Sequence, residues 1–239
     1  AYLRHSNTLS CLLQNLFRLM PVRPTAIDSR MQVAHLACWV YRSVLQVLPA
    51  AARLWWQGQE KRVAGAVESY TARHVSPCLL ALELSAVQRR SNKIPNLTVR
   101  ARPTAREVLA AYEANEVYVE LLVCLPASLP LGVPTVECSR RVAVSPQQWR
   151  SWLLQLHAFL KNQNGSIIEG LELWKANVEK RFEGVEECAI CFSIIHGTNC
   201  SLPCKACRTC RKKFHNACLY KWFSTSNKAN CPLCRERFF

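Results

Sequence analysis

Apolar residues recur every three or four positions along the first part of the chain. Leu9, Leu12, Leu13, Leu16, Phe17 and Met20 fall on one face of a helix that Pro21 closes. From Ile27 the pattern returns with Met31, Ala34, Cys38, Tyr41, Val44, Leu45 and Leu48, and Pro49 stops it. This spacing predicts helices over about Thr8 to Thr71. Two helices joined by a short proline-containing turn suit an αα-hairpin, the unit from which helical repeats are stacked. Trp55 and Trp56 end the stretch and read as packing residues. Between Asn96 and Val144 the period changes to two. Val117, Val119, Leu121, Val123 and Leu125 alternate with Tyr118, Glu120 and Leu122, as in a strand with one buried face. Shorter strands are predicted over Leu97 to Arg102, Val108 to Tyr112 and Thr135 to Cys138. Leu129-Pro-Leu-Gly-Val-Pro134 reads as a proline-pinned connection. Pro146 then opens a helix whose apolar face holds Trp149, Trp152, Leu153, Leu156, Phe159 and Leu160. A second helix follows from about Ser166 to Phe182, carrying Ile167, Leu171, Trp174 and Val178.

A strand meander followed by two helices is an α+β arrangement. The order resembles the RWD fold, a relative of the ubiquitin-conjugating enzymes. RWD domains often carry a Tyr-Pro-x-x-x-Pro turn before the last strand; here Leu129 replaces the tyrosine, with Pro130 and Pro134 kept. The His-Pro-Asn motif of active conjugating enzymes is missing, and Cys138 reads as a strand residue, so no conjugating chemistry is expected in this segment. The expected division is the end of a HEAT-like helical arm over residues 1–59, an RWD-like domain over 60–182 and a small zinc domain over 183–239.

Half of the 239 residues are hydrophobic and a fifth are charged, as in a folded globular protein. No run approaches the eighteen apolar residues that cross a bilayer, so no membrane partner is expected. The first residue is Ala1 and the N-terminus lacks the parts of a secretory signal, which suggests a soluble piece from the C-terminal end of something longer. The net charge of +15 favours an acidic partner such as nucleic acid; the plainer reading is a well-solvated surface. The first hundred residues carry thirteen Lys and Arg against four Asp and Glu.

Cysteine usage is uneven. Cys11, Cys38, Cys78, Cys124 and Cys138 are scattered at positions that suit small buried hydrophobes, whereas nine crowd between Cys188 and Cys234. A dense cluster of CxxC pairs with a histidine points to a metal site in a reducing compartment, the cytosol or nucleus. The pairs are Cys188-x2-Cys191, Cys207-x2-Cys210, His215-x2-Cys218 and Cys231-x2-Cys234. Each can give two soft donors to one ion, zinc takes four in a tetrahedron, and four pairs therefore complete two sites. Cys200 and Cys204 are surplus, and Cys204-x2-Cys207 is also a metal-compatible pair. The register through Cys207 and Cys210 leaves Cys204 beside Pro203 in a variable loop and keeps the distance to His215 short.

These spacings resemble a RING domain, in which successive pairs alternate between the ions. The resemblance implies that Cys188, Cys191, His215 and Cys218 hold the first Zn²⁺ and Cys207, Cys210, Cys231 and Cys234 the second. With four protein ligands each, both zincs are structural and leave no open position for catalysis. PHD fingers share the ligand series but place an aromatic two residues before the seventh ligand, where Ala229 stands here. Pro232 follows the seventh ligand, Ile190 sits between the first two cysteines, and Trp222 lies four residues after Cys218. In RING ligases these three places form a shallow apolar groove for a ubiquitin-conjugating enzyme. Taken singly, Trp222 equally suits core packing and Pro232 a rigid turn. Arg235 follows the eighth ligand, where many RING ligases carry a cation that bridges the conjugating enzyme and its bound ubiquitin; the plain alternative is one more surface arginine.

Longer stretches resemble one family closely. They are Trp174-Lys-Ala-Asn-Val-Glu-Lys-Arg-Phe-Glu-Gly-Val185 running into Cys188-Ala-Ile-Cys-Phe-Ser-Ile-Ile-His196, then Lys213-Phe-His-Asn-Ala-Cys-Leu-Tyr-Lys-Trp-Phe223, and the ending Phe238-Phe239. All are similar to the C-terminus of the listerin family, the ligases of ribosome-associated quality control. The similarity is closest from about Gln147 onward and weakest in the first ninety residues. It implies a ligase that works with a ubiquitin-charged conjugating enzyme. The family recognises large ribosomal subunits carrying peptidyl-tRNA, together with a partner that senses the stalled state, and transfers ubiquitin to lysines of the nascent polypeptide. It further implies an RWD domain docked near the exit tunnel, a RING beside the opening, and a cytosolic location. The rival reading is a non-enzymatic zinc scaffold that binds RNA or a ribosome, for which the run Lys205, Arg208, Arg211, Lys212 and Lys213 would serve. A pure RNA binder, however, needs no set such as Ile190, Trp222, Pro232 and Arg235.

Overall fold

The computed structural model describes residues 8–20, 29–90, 93–114, 117–142 and 144–239. Pro21 and Ile27, expected at a helix end and a helix start, lie outside them, as does the side chain of Met31. Among the described residues five helices come first: α1 (Thr8–Leu19), α2 (Ser29–Val47), α3 (Pro49–Gln57), α4 (Lys61–His74) and α5 (Ser76–Arg90). Leu9, Leu13, Leu16 and Met20 of the first segment pack against Ala37, Tyr41 and Leu45 of α2, while Leu12 faces outward. Pro49 ends α2 and also begins α3, since a proline in the first turn has no amide that the helix needs. Trp55 is buried in the same cluster and Trp56 packs at its edge, donating from Nε1 to the Ala64 carbonyl at 2.9 Å. Helix α4 belongs to this core too: Val67 is buried in it, and Thr71 Oγ1 meets Tyr41 Oη at 2.7 Å.

Helix α5 is absent from the sequence-based expectation, and its packing gives the reason. Leu79 enters the helical cluster, whereas Leu80, Leu84 and Val87 enter the core of the sheet that follows. A helix buried on two sides carries no single apolar stripe for periodicity to find.

The sheet is an antiparallel meander, β1 (Leu97–Arg102), β2 (Glu107–Ala114), β3 (Val117–Cys124) and β4 (Thr135–Val142), in that spatial order. Val117, Val119, Leu121 and Val123 point inward and their neighbours outward, as the alternation requires. In register they sit beside Ala114, Tyr112, Ala110 and Val108 of β2. Helices α6 (Pro146–Asn162) and α7 (Ile167–Phe182) cover the inner face with Trp149, Trp152, Leu156, Leu171, Trp174 and Val178. Ser145 caps α6 by accepting from the Gln148 amide, and Ser166 with Glu169 makes a full capping box on α7.

The connection from β3 to β4 is a buried plug. Leu131 is fully buried in the helical cluster, and Leu129 in the sheet core. Arg53 of α3 reaches it from the arm. Its Nε and Nη2 donate to the Pro130 carbonyl at 3.0 and 2.8 Å, and Nη1 donates to the Leu160 and Lys161 carbonyls at the end of α6. A cation at a helix C-terminus meets the negative end of its dipole, so Arg53 joins the arm, the plug and α6 without a carboxylate partner among the described residues. Ser76 Oγ donates to the Leu129 carbonyl at 2.6 Å, and Ser128 Oγ to Glu68 at 3.0 Å. Gly132 is required by close approach, because a Cβ there would lie 2.8 Å from the Pro126 ring.

The last segment holds a short hairpin, β5 (Lys205–Ala206) and β6 (Lys213–Phe214), and helix α8 (Asn216–Ser226). Its own core is small: Phe214, Leu219 and Phe238 among four buried cysteines. It is fastened to the α+β unit by Ile195, which is buried in the sheet-and-helix core, with Ile194, Cys200 and Leu202 packed beside it. No helix among the described residues is long and apolar enough to cross a membrane.

Candidate metal centres

Four turns in the last segment share one backbone pattern. The amide of the first residue donates to the carbonyl five residues on, and the fifth residue's amide returns to the first carbonyl. The turns run from Cys188 to Ser193, His196 to Ser201, Cys207 to Lys212 and Cys231 to Glu236, with all eight bonds between 2.8 and 3.0 Å. The fifth residue is left-handed in each: Phe192, Cys200, Arg211 and Arg235, with φ of 57°, 51°, 57° and 63°. Three of these turns carry CxxC, and the tight curl aims both sulfurs to one side.

Helix α8 supplies the remaining pair, with His215 at its N-cap and Cys218 in its first turn. The donor atoms of Cys188, Cys191, His215 and Cys218 lie within 4.8 Å of one another, and so do those of Cys207, Cys210, Cys231 and Cys234. Cys200 and Cys204 stand in neither group. Cys204 is exposed, and its amide donates to the Phe214 carbonyl in the hairpin.

The distances within each group fit a tetrahedral zinc. Sulfurs about 2.3 Å from a central ion are separated by roughly 3.8 Å. Cys207 and Cys234 are 3.7 Å apart, as are Cys210 and Cys231, far beyond a disulfide bond. His215 Nδ1 stands 3.4 Å from Cys191 Sγ and 3.8 Å from Cys218 Sγ. The other ring nitrogen, Nε2, donates to the Ile194 carbonyl at 3.2 Å, which leaves Nδ1 unprotonated and facing the sulfurs. Burial, and then His196, whose ring meets it edge to face at 5.2 Å, lower the imidazole's pKa and favour that neutral form.

The thiols are divided in a way that a divalent cation would resolve. Backbone amides, Cys210 first, bring Cys207 down to about 6. At Cys188, burial works upward but the amides of Cys191, His215 and Ile190 outweigh it, and the net shift is downward. Burial pushes Cys218 and Cys231 up to about 12, and neighbouring thiols add to the effect. A bound zinc favours the thiolate in all of them.

Around this frame the four remaining candidates take definite places. Ile190 is half-buried within the first turn, and the adjoining Ala189 amide donates to the Lys213 carbonyl. Trp222 is 38% exposed on α8, one turn beyond Cys218. Its Nε1 donates to the Asn230 carbonyl at 3.0 Å, which draws the segment leading to Pro232 onto the helix. Pro232 is half-buried, Leu233 beside it is exposed, and Arg235 is exposed at the left-handed position of its turn. Sequence reasoning missed the His196 turn and the fastening by Ile194 and Ile195. Two adjacent β-branched apolar residues in an otherwise polar stretch were the available signal.

Among the described residues the α+β unit offers no comparable constellation. Cys138 lies on β4, and the Cys124 thiol on β3 is raised by burial, opposite to what a nucleophile needs.

Three families match in succession. Residues 23–88 match the LTN1 family HEAT repeat region, residues 97–181 a ubiquitin conjugating domain-like family, and residues 186–235 the Ring finger domain. Among individual proteins, the chain is 50% identical over its whole length to "E3 ubiquitin-protein ligase listerin" of Gallus gallus and 51% identical to that of Xenopus tropicalis. The protein of the same name from Saccharomyces cerevisiae is 35% identical over 77% of the chain. The chain spans 15–16% of the length of the first two relatives and 12% of the yeast one.

Proposed function

Because the chain belongs to the listerin family, matched from end to end by a sixth or less of each relative, we propose that it works as the activating end of an E3 ubiquitin ligase. It binds a ubiquitin-charged conjugating enzyme and promotes transfer of ubiquitin to lysines of nascent chains on large ribosomal subunits in the cytosol. The observation that carries this reading is the pair of interleaved four-donor clusters, which hold Ile190, Trp222, Pro232 and Arg235 on one small frame. Cys188, Cys191, His215 and Cys218 would hold one Zn²⁺ and Cys207, Cys210, Cys231 and Cys234 another, and the ions would supply cross-links rather than an open site for catalysis.

The chain's own residues bind and orient. Ile190, Trp222 and Pro232, with Leu233, offer an apolar surface to the conjugating enzyme. Arg235 projects from a turn fixed by two backbone bonds, and its planar guanidinium donates to carbonyls of the enzyme and of ubiquitin together. Held so, the thioester carbonyl is open to a lysine amine, which forms the amide and releases the conjugating enzyme's thiol. The barrier falls through orientation. The Ile195 contact fastens the RING to an α+β domain that the buried plug joins to the helical arm, which suits that domain as the anchor on the subunit, alongside a partner that senses the stalled peptidyl-tRNA.

The test is single-turnover discharge of a ubiquitin-charged conjugating enzyme to free lysine. The zinc-loaded chain is expected to accelerate it at least tenfold. Discharge at the rate seen without the chain, across a panel of conjugating enzymes, would favour the scaffold reading.

A further inference from the structure

We propose that the β5–β6 hairpin with the turn it encloses, Lys205 to Lys213, is a docking surface for the phosphate backbone of duplex RNA. From Cys188 to Arg235 the chain contains no Asp or Glu, yet eight Lys and Arg, and five of these lie between 205 and 213. Lys205, Arg208, Arg211 and Lys212 are exposed and Lys213 half-exposed. Among the described residues none of the five joins an ion pair.

The backbone beneath them is fixed. β5 pairs with β6, the Cys207 and Arg211 amides close the turn, and the Cys204 amide bonds to Phe214. A base already fixed loses little backbone freedom when it meets a partner, so that only the side chains are left to order.

The residues between the cations decide the class of partner. Ala206 and Thr209 are exposed and small, so the surface lacks the buried aromatic or aliphatic anchor on which a protein interface centres. It equally lacks the aromatic platforms on which unpaired bases stack. What remains is exposed charge on a fixed backbone, which suits phosphates of a helical backbone. Four exposed cations give a salt slope of about −3 to −4, so this surface reinforces an attachment made elsewhere rather than making one alone. The inference stands on charge and geometry and does not depend on ligase activity.

The test uses the whole chain and a labelled RNA duplex of about 20 base pairs, with binding followed by anisotropy from 50 to 200 mM salt. Lys205→Gln/Arg208→Gln/Lys212→Gln is compared with Lys61→Gln/Arg62→Gln/Arg73→Gln, an equal loss of charge on exposed α4 positions. The hairpin variant is expected to bind at least tenfold more weakly at 100 mM salt, with the slope reduced by about 2 to 3, and the α4 variant within twofold of the parent. Arg208→Glu alone gives a second reading should the triple variant lose zinc. Equal losses in the two triple variants, or no loss in the hairpin variants, overturn the proposal. So does a hairpin variant that keeps RNA binding but loses binding to polyglutamate, which would assign the surface to an acidic protein.

Discussion

Cys204 and Cys207 show what a single residue's spacing can and cannot settle. Both Cys204-x2-Cys207 and Cys207-x2-Cys210 suit a metal pair, and only the fold separates them: Cys207 sits at the head of a closed turn, Cys204 on the hairpin edge. Zinc content by mass spectrometry is therefore expected to be two per chain in the parent and in Cys204→Ser, and one or none in Cys207→Ser. A lost zinc in Cys204→Ser would overturn the ligand register. Glu83 gives a second residue-scale prediction. Its Oε2 accepts from the Ile167 amide at 3.2 Å, but burial, and then nearby Glu169, raise its pKa. A carboxyl with a folded pKa above the unfolded one holds its proton better in the native state, so it takes stability away as pH rises through that interval. Glu83→Gln keeps the acceptor and removes the charge. Its melting temperature is expected to exceed the parent's by a margin that grows from pH 5 to pH 8, and a margin independent of pH would show that Glu83 ionises freely.

At the scale of elements, the parts legible in the sequence are those with one buried face. β3 and α6 follow their periods closely because each packs on one side only. Helix α5 was illegible because it serves two cores, and the plug from Leu129 to Pro134 read only as a proline-pinned connection, with no sign of its burial. Its burial depends on Arg53, 77 residues away in sequence, which no local pattern reveals. Arg53→Ala would strand the Pro130 and Leu160 carbonyls, and an unfolding loss of about 2–4 kcal/mol is expected in denaturant titrations. A loss below about 0.5 kcal/mol would show that water replaces the guanidinium. The ligand pairs were readable because a knuckle is a local object. The fourth knuckle, from His196 to Ser201, was not, since it has the backbone and lacks the CxxC. Its neighbour Ile195 fills the α+β core, and the Ile194 carbonyl accepts a hydrogen bond from His215 Nε2. Ile195→Ala should cost about 2–4 kcal/mol and raise hydrogen exchange at the end of α7 while both zincs stay bound. Unchanged exchange there would mean that the RING is held by other contacts.

The whole molecule combines a basic helical arm, an α+β unit and a frame built on two four-donor clusters. The buried plug joins the first two and Ile195 the last. Such a body lets an anchor in one part confine an activity in another, raising its effective concentration at nearby lysines. With purified large ribosomal subunits the chain is expected to co-sediment at 50 mM salt and to be released as salt rises, and the hairpin variant to be released at lower salt. Retention independent of salt would argue against phosphate contacts. The central claim is that this frame separates docking from activation, and saturation kinetics of thioester discharge test it most directly. Discharge is measured at rising concentrations of chain with a limiting charged conjugating enzyme. Trp222→Ala is expected to raise the half-saturating concentration by roughly tenfold, about 1–2 kcal/mol of apolar contact, with the saturated rate kept. Arg235→Ala is expected to leave half-saturation unchanged and to lower the saturated rate roughly tenfold. Variants that both discharge thioester at the parent rate at every concentration would contradict the account.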